Sequence, residues 1–194
     1  MKILTFLLAV TVASTVLAQD NSLPYYEIPP TPEKYTAGNV AARVIDGLGF
    51  RFYWATEGLR EADLKYKPSK DARTSEETVQ HIYEMSVSIR NATTRTPNVR
   101  GQAEKVPFPE MRKRVLENLK TASDLLREAS DEDVASFKIM YKSGDNVTEF
   151  PFWNHLNGPI ADCIWHVGQI VSFRRASGNP FNSKASVFTG KLRE

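Results

Sequence analysis

Ile160-Ala161-Asp162-Cys163-Ile164-Trp165-His166-Val167-Gly168-Gln169-Ile170-Val171 repeats apolar side chains at Ile160, Ile164, Val167 and Val171. Steps of four, three and four put those side chains on one face of an α-helix. At about 100° per residue, Asp162 and His166 fall on the flank of that stripe rather than on the opposite, solvated face. The helix is predicted to begin near residues 154–159, because proline is tolerated in a first turn, and to stop at Gly178, which Pro180 follows.

Three earlier segments carry the same period. Val40, Val44, Leu48, Phe52, Ala55 and Leu59 predict a helix from Ala37 to about Leu59. Thr74 followed by Glu77 reads as a capping box for a helix from about Ser75 to Thr94, with its stripe at Val79, Ile82, Ser86 and Ile89. Val115, Leu119, Ala122, Leu126 and Ala129 predict a third, strongly amphipathic helix to about Ser130. Lys65 to Arg73 with Pro68, and the stretch holding Pro97, Gly101, Pro107 and Pro109, read as loops. Ser143-Gly144-Asp145-Asn146 lies between two brief apolar stretches, Phe137 to Tyr141 and Val147 to Phe150, and predicts a short β-hairpin or extended excursion before the last helix. The expected class is all-α, a four-helix bundle over residues 37–180 with a tail over 181–194.

Before the bundle, Pro24, Pro29, Pro30 and Pro32 make residues 19–36 an extended arm, with Tyr25, Tyr26 and Tyr35 available to pin it to the body. Residues 1–18 read as a signal peptide: Lys2 is the charged start, an apolar run follows from Ile3 to about Val16, and Ala18 is the expected cleavage position. The run is too short, and too soon followed by Gln19, Asp20 and Asn21, to span a bilayer, so the expectation is an exported chain, periplasmic or secreted, with no membrane anchor. No cysteine near the cleavage point offers a site for lipid attachment.

Loss of the leader removes one of the 25 Lys and Arg and none of the 23 Asp and Glu, leaving a formal charge of +1. So small an excess, with no basic run interleaved with aromatics, gives no electrostatic reason to bind nucleic acid. Cys163 is the single cysteine, so no intrachain disulfide forms and stability comes from packing; beside Ile164 and Trp165 it reads as a small buried side chain rather than a reactive thiol.

With three histidines in the chain, a metal site draws on His81, His155, His166 and carboxylates. Asp162 and His166 are one helical turn apart on one face, the separation two ligands of a single ion require. His81 lies on the flank of its own helix, so side-by-side packing of the two helices would present all three groups to one groove. From spacing alone, a surface Asp-His pair and an unrelated histidine is the commoner arrangement. His155 precedes Pro159 and reads as a cap or surface contact. Gln169 reads as an exposed helical glutamine, Glu84 as a solvated carboxylate, and Arg174 and Arg175 as partners of a helix dipole. Asn91-Ala92-Thr93 and Asn146-Val147-Thr148 match the glycosylation sequon.

The stretch Trp153-Asn154-His155-Leu156-Asn157-Gly158-Pro159-Ile160-Ala161-Asp162-Cys163-Ile164-Trp165-His166-Val167-Gly168-Gln169, with Arg174-Arg175-Ala176-Ser177-Gly178-Asn179-Pro180, resembles the last helix of the DinB-like superfamily. Ser75-Glu76-Glu77-Thr78-Val79-Gln80-His81-Ile82 resembles the opening of that family's second helix. The resemblance covers roughly residues 37–180 and is specific in the last helix. It implies a divalent metal held by one histidine of the second helix and two groups four apart on the fourth, which fall on His81, Asp162 and His166. Many members have histidine where this chain has Asp162, so the set is two histidines and one carboxylate, leaving coordination positions free for water or substrate. Zinc, nickel, iron and manganese all accept such ligands. The resemblance also points to bacteria, which sets the two sequons aside.

On that basis the expected function is a divalent-metal-dependent enzyme of hydrolase or thiol-transferase type, using metal-activated water or thiol. Relatives include transferases and isomerases that use bacillithiol or mycothiol; those thiols are cytoplasmic, so export favours hydrolysis. The alternative is a non-catalytic exported bundle that binds metal, a small ligand or a protein partner. A haem or di-iron bundle lacks its marks, since there is no Cys-x-x-Cys-His and no Glu-x-x-His. The substrate is open, as is dimerisation through helix faces.

Overall fold

The computed structural model describes residues 23–194, so the leader expected over residues 1–18, with its cleavage position, lies outside the described residues. In chain order the elements are α1 (Ala37–Thr56), α2 (Glu61–Lys65), α3 (Ser75–Thr93), β1 (Asn98–Val99), α4 (Phe108–Glu128), α5 (Asp131–Ser136), β2 (Lys138–Ser143), β3 (Asn146–Pro151), α6 (Trp153–His155), α7 (Ala161–Ala176), β4 (Ala185–Ser186) and β5 (Lys191–Leu192). The described residues are mostly helical, with a small three-stranded sheet, β1-β2-β3, and a two-stranded one, β4-β5. Helix α1 packs against α4 and α7, and α3 packs against the same two, so each long helix has two long neighbours. No helix among the described residues is long and apolar enough to cross a membrane.

The stripe expected in α3 is the buried one: Val79, Ile82 and Ile89 are fully buried, with Ser86 between them. Its start is the expected capping box, Glu77 N–H donating to Thr74 Oγ1 at 3.1 Å and Thr74 N–H to Glu77 Oε2 at 2.7 Å. In α1 the expected stripe holds at Leu48, Phe52 and Ala55 but not before them, and the helix stops at Thr56, short of the expected Leu59. Val40 and Val44 are 53% and 39% exposed, while Ala41, Ala42 and Ile45 face the core. The reason is Asp46, which is fully buried and accepts a 2.6 Å hydrogen bond from Ser123 Oγ and an ion pair from Arg127, both on α4. Burial pushes the Asp46 carboxyl up, and Ser123 and Arg127 act against that. Turning Asp46 inward rotates its neighbours Ala42 and Ile45 inward as well.

The expected loop before α4 is shorter than predicted. Pro107 is the N-cap and Pro109 sits in the first turn, where a missing N–H leaves no bond unmade. Val115, Leu119, Ala122 and Leu126 are buried as expected. Helices α2 and α5 were not expected; at five and six residues they are too short to show a period. Strand β1 is also new and runs parallel to β2, Asn98 opposite Tyr141 and Val99 opposite Lys142. The β2–β3 hairpin closes with Ser143 opposite Asn146, and Gly144 takes a φ of +60° in the turn.

The last helix does not begin as one piece. Helix α6 passes into a wide turn, Leu156–Ile160, interrupted at Gly158 (φ −96°, ψ −113°) and Pro159, and α7 starts only at Ala161. Its end is the expected one: Gly178 has a φ of +79°, Asn179 N–H donates to Arg174 O at 2.8 Å and Gly178 N–H to Arg175 O at 3.2 Å, the paired bonds of a Schellman stop.

Two of the three arm tyrosines pin the arm. The Tyr25 ring rests on Gly49, where an added Cβ would come within 2.4 Å of it, and Trp54 Nε1–H donates to Tyr26 O at 3.2 Å. Tyr35 does not: it is 82% exposed. Gly38 marks a close approach of α1 to α4, since a Cβ there would overlap the Leu126 carbonyl oxygen. That neighbour is backbone and cannot rotate away. Gly38→Ala is therefore expected to lower the unfolding free energy by about 2 kcal/mol, read as a lower urea midpoint at unchanged slope. Gly168→Ala, where nothing lies within 4 Å of the new Cβ, is the control and should gain up to about 1 kcal/mol from helix propensity.

Candidate metal centre

Helices α3 and α7 pack side by side, and the packing brings His81 of α3 to Asp162 and His166 of α7. One ligand atom from each of the three lies within 4.8 Å of the others, and each residue is half-buried. His81 Nε2 is 3.7 Å from Asp162 Oδ2, and His166 Nε2 is 3.6 Å from Asp162 Oδ1. The two imidazoles stand nearly perpendicular, 79° between planes with centroids 4.9 Å apart. Asp162 thus sits between the histidines, one oxygen toward each, and the three could hold a metal ion.

The electrostatics favour ligation. Burial lowers the His81 imidazole below its ordinary value, Arg73 and His166 add to that, and Asp162 and Glu84 oppose it. A neutral ring keeps a lone pair for a cation. His166 Nδ1 lies 2.7 Å from Gln169 Oε1. An amide oxygen only accepts, so this contact selects the neutral tautomer with its proton on Nδ1, in which Nε2, the nitrogen facing Asp162, carries the lone pair. Gln169, read from sequence as an exposed glutamine, is the positioning residue of this ring. The signal was its place three residues after His166, one turn along the same face.

Other candidates fall elsewhere. Glu84 Oε2 is 3.9 Å from His81 Nδ1, too far for a hydrogen bond, and its carboxylate is more than half exposed. Cys163 is fully buried, and burial pushes its thiol well up, with the Asp162 charge adding to the effect. His155 is neither a cap nor a surface contact: it is fully buried, packs on Phe152 at 5.5 Å, and neither ring nitrogen has a hydrogen-bond partner of good geometry. It lies outside the ligand cluster. Arg174 does serve a helix end, but that of α1 rather than its own: Nη1 donates to the carbonyls of Trp54, Ala55 and Glu57 at 3.2, 2.9 and 3.0 Å.

Two hollows flank the His81 side of this cluster, and His81 and Glu84 line both. One, of about 690 Å³, opens toward Arg73, Gln80 and Lys105. The other, of about 740 Å³, runs between α3, residues 98–103 and β2. A small molecule can therefore reach the His81 edge from either side. Comparison of the chain with protein-family models, with curated proteins and with solved structures found no match in any of the three.

Proposed function

We propose that the chain is an exported four-helix bundle of the DinB-like kind whose His81, Asp162 and His166 hold a divalent cation for hydrolysis or thiol transfer. The observation that carries this reading is the convergence of those three ligand atoms within 4.8 Å from two separate helices. Two imidazoles and one carboxylate suit zinc, nickel, iron or manganese and leave coordination positions over for substrate. When bound, such a cation supplies Lewis acidity and lowers the pKa of a water or thiol beside it. The chain's own residues do the rest. Gln169 fixes the His166 tautomer, Asp162 holds a position between the rings, and the partial burial of all three limits competing water.

The test is elemental analysis of the protein purified without a histidine tag, beside His81→Ala and His166→Ala. The expected result is near-stoichiometric metal in the parent and loss from both variants. No bound metal after incubation with each of the four ions would sink the reading and leave a helical protein whose histidine pair has a structural task.

A further inference from the structure

The 740 Å³ hollow has two chemically different walls. Helix α3 contributes His81, Glu84 and Ser88; the strand side contributes Arg100 and Lys142. The parallel register sets Val99 opposite Lys142, Arg100 follows Val99 directly in the chain, and both cations line this one hollow. Both are exposed, and neither makes an ion pair or side-chain hydrogen bond among the described residues. The single carboxylate in the lining, Glu84, stands on the opposite wall beside His81. Met85 on the helix side, Val99 on the strand side and Pro159 add apolar surface to the lining. Ser88 is about nine-tenths buried in this lining, and its hydroxyl has no hydrogen-bond partner.

Two unpaired cations facing an apolar passage match a ligand with an oxyanion at one end and an apolar body. A buried hydroxyl without a partner is a cost the protein bears unless a ligand satisfies it. We infer that this hollow is the substrate site of the metal centre, and that the substrate is a small molecule with an apolar middle whose terminal carboxylate or phosphate lies on Arg100 and Lys142 while its reacting group lies at His81. The inference rests on the metal reading above, and goes beyond it by naming the substrate's charge and the hollow it enters. Arg100 and Lys142 are specificity residues in this scheme, since they touch the end of the substrate remote from the chemistry.

The experiment uses alkyl hydroxamates, which ligate a protein-bound cation through one end, with the other end varied as methyl, carboxylate, phosphonate or trimethylammonium. Affinities are measured for the full protein loaded with the ion that elemental analysis identifies, over a series of chain lengths. The expected result is a preference of about tenfold for an oxyanion end over methyl, the size of one charge-assisted contact, shrinking at high salt. In the R100Q/K142Q double variant the oxyanion-ended probes should fall to the affinity of the methyl-ended one. Carboxylate against phosphonate identifies which oxyanion is meant. Equal affinity for all ends, a preference for trimethylammonium, or an oxyanion preference that survives in the double variant would overturn the inference while leaving the metal reading standing. Failure of every hydroxamate on a protein that also holds no ion would overturn both.

Discussion

Arg174→Met is expected to lower the unfolding free energy by about 3 to 5 kcal/mol. Arg174 is 3% exposed. Its Nη1 serves three carbonyls at the end of α1, and its Nε donates to Asn179 O at 2.7 Å. The last carbonyls of a helix have no partner within the helix, and here that end is covered by α7, so water is not a ready substitute. Methionine keeps most of the apolar stem but leaves the carbonyls dry, and each buried acceptor left unmade costs about 1 to 3 kcal/mol. It also removes a positive charge from the negative end of the α1 dipole. Urea unfolding of the two proteins measures the difference. A loss under about 1 kcal/mol would mean that solvent reaches the α1 end and that the guanidinium is replaceable.

Between pH 6.5 and 4 the protein should lose about 3 kcal/mol of stability through His155 alone. Burial pushes this imidazole down to about 4 from its ordinary 6.5, with only the backbone of Ser88 acting the other way. In that window the unfolded chain takes up a proton that the folded chain refuses, so the folded state loses ground as pH falls from 6.5 and the loss levels off below 4. Above 6.5 both states are neutral at this position and it contributes no pH dependence. His81, whose imidazole is also lowered, acts with the same sign, so the informative quantity is the difference between the parent and His155→Leu. Leucine is apolar, does not titrate, and removes two unpaired nitrogens from the core. Its unfolding free energy should fall less steeply over the window, the two curves diverging as the pH is lowered. Parallel curves would show that the acid sensitivity lies elsewhere. Asp63 of α2 is fully buried and accepts hydrogen bonds from Arg60, Ser177 and Asn179, which hold it well below the usual carboxylate range against its own burial; its contribution is lost only below the ordinary carboxylate pKa and does not confuse the result.

His155 also shows where sequence reasoning stops. Its neighbours Gly158 and Pro159 signalled a break, and a histidine before a break is usually a cap or a surface contact. What buries it is tertiary: Phe152 lies against it and α3 passes behind it at Ser88. The α1 stripe failed for the same kind of reason, because Asp46 turns inward for Ser123 and Arg127, partners far along the chain that no local period records. Where the deciding interaction is local, the reading agreed with the structure. Thr74 and Glu77 are three apart and form their box; Gly178 stops α7 by bonds to Arg174 and Arg175; the turn at Gly144 falls between its two strands. Helix α5 carries a local signal as well. Ser130 and Asp133 form a capping box with aspartate in the place where glutamate is more familiar. The candidate ligands lie between these cases. The Asp162–His166 pair is local and legible, whereas its meeting with His81 depends on α3 packing beside α7.

The exposed tip of the hairpin, Ser143 to Asn146, lies between the helix that carries His81 and the helix that carries Asp162 and His166. Exposed turns of small and polar residues tolerate nicking and insertion. A cut between Gly144 and Asp145 would divide the protein into two fragments, each with an incomplete set of ligands. If the proposed centre takes up a cation, its capture by the mixed fragments would report their reassembly, making this chain a natural subject for split-protein complementation.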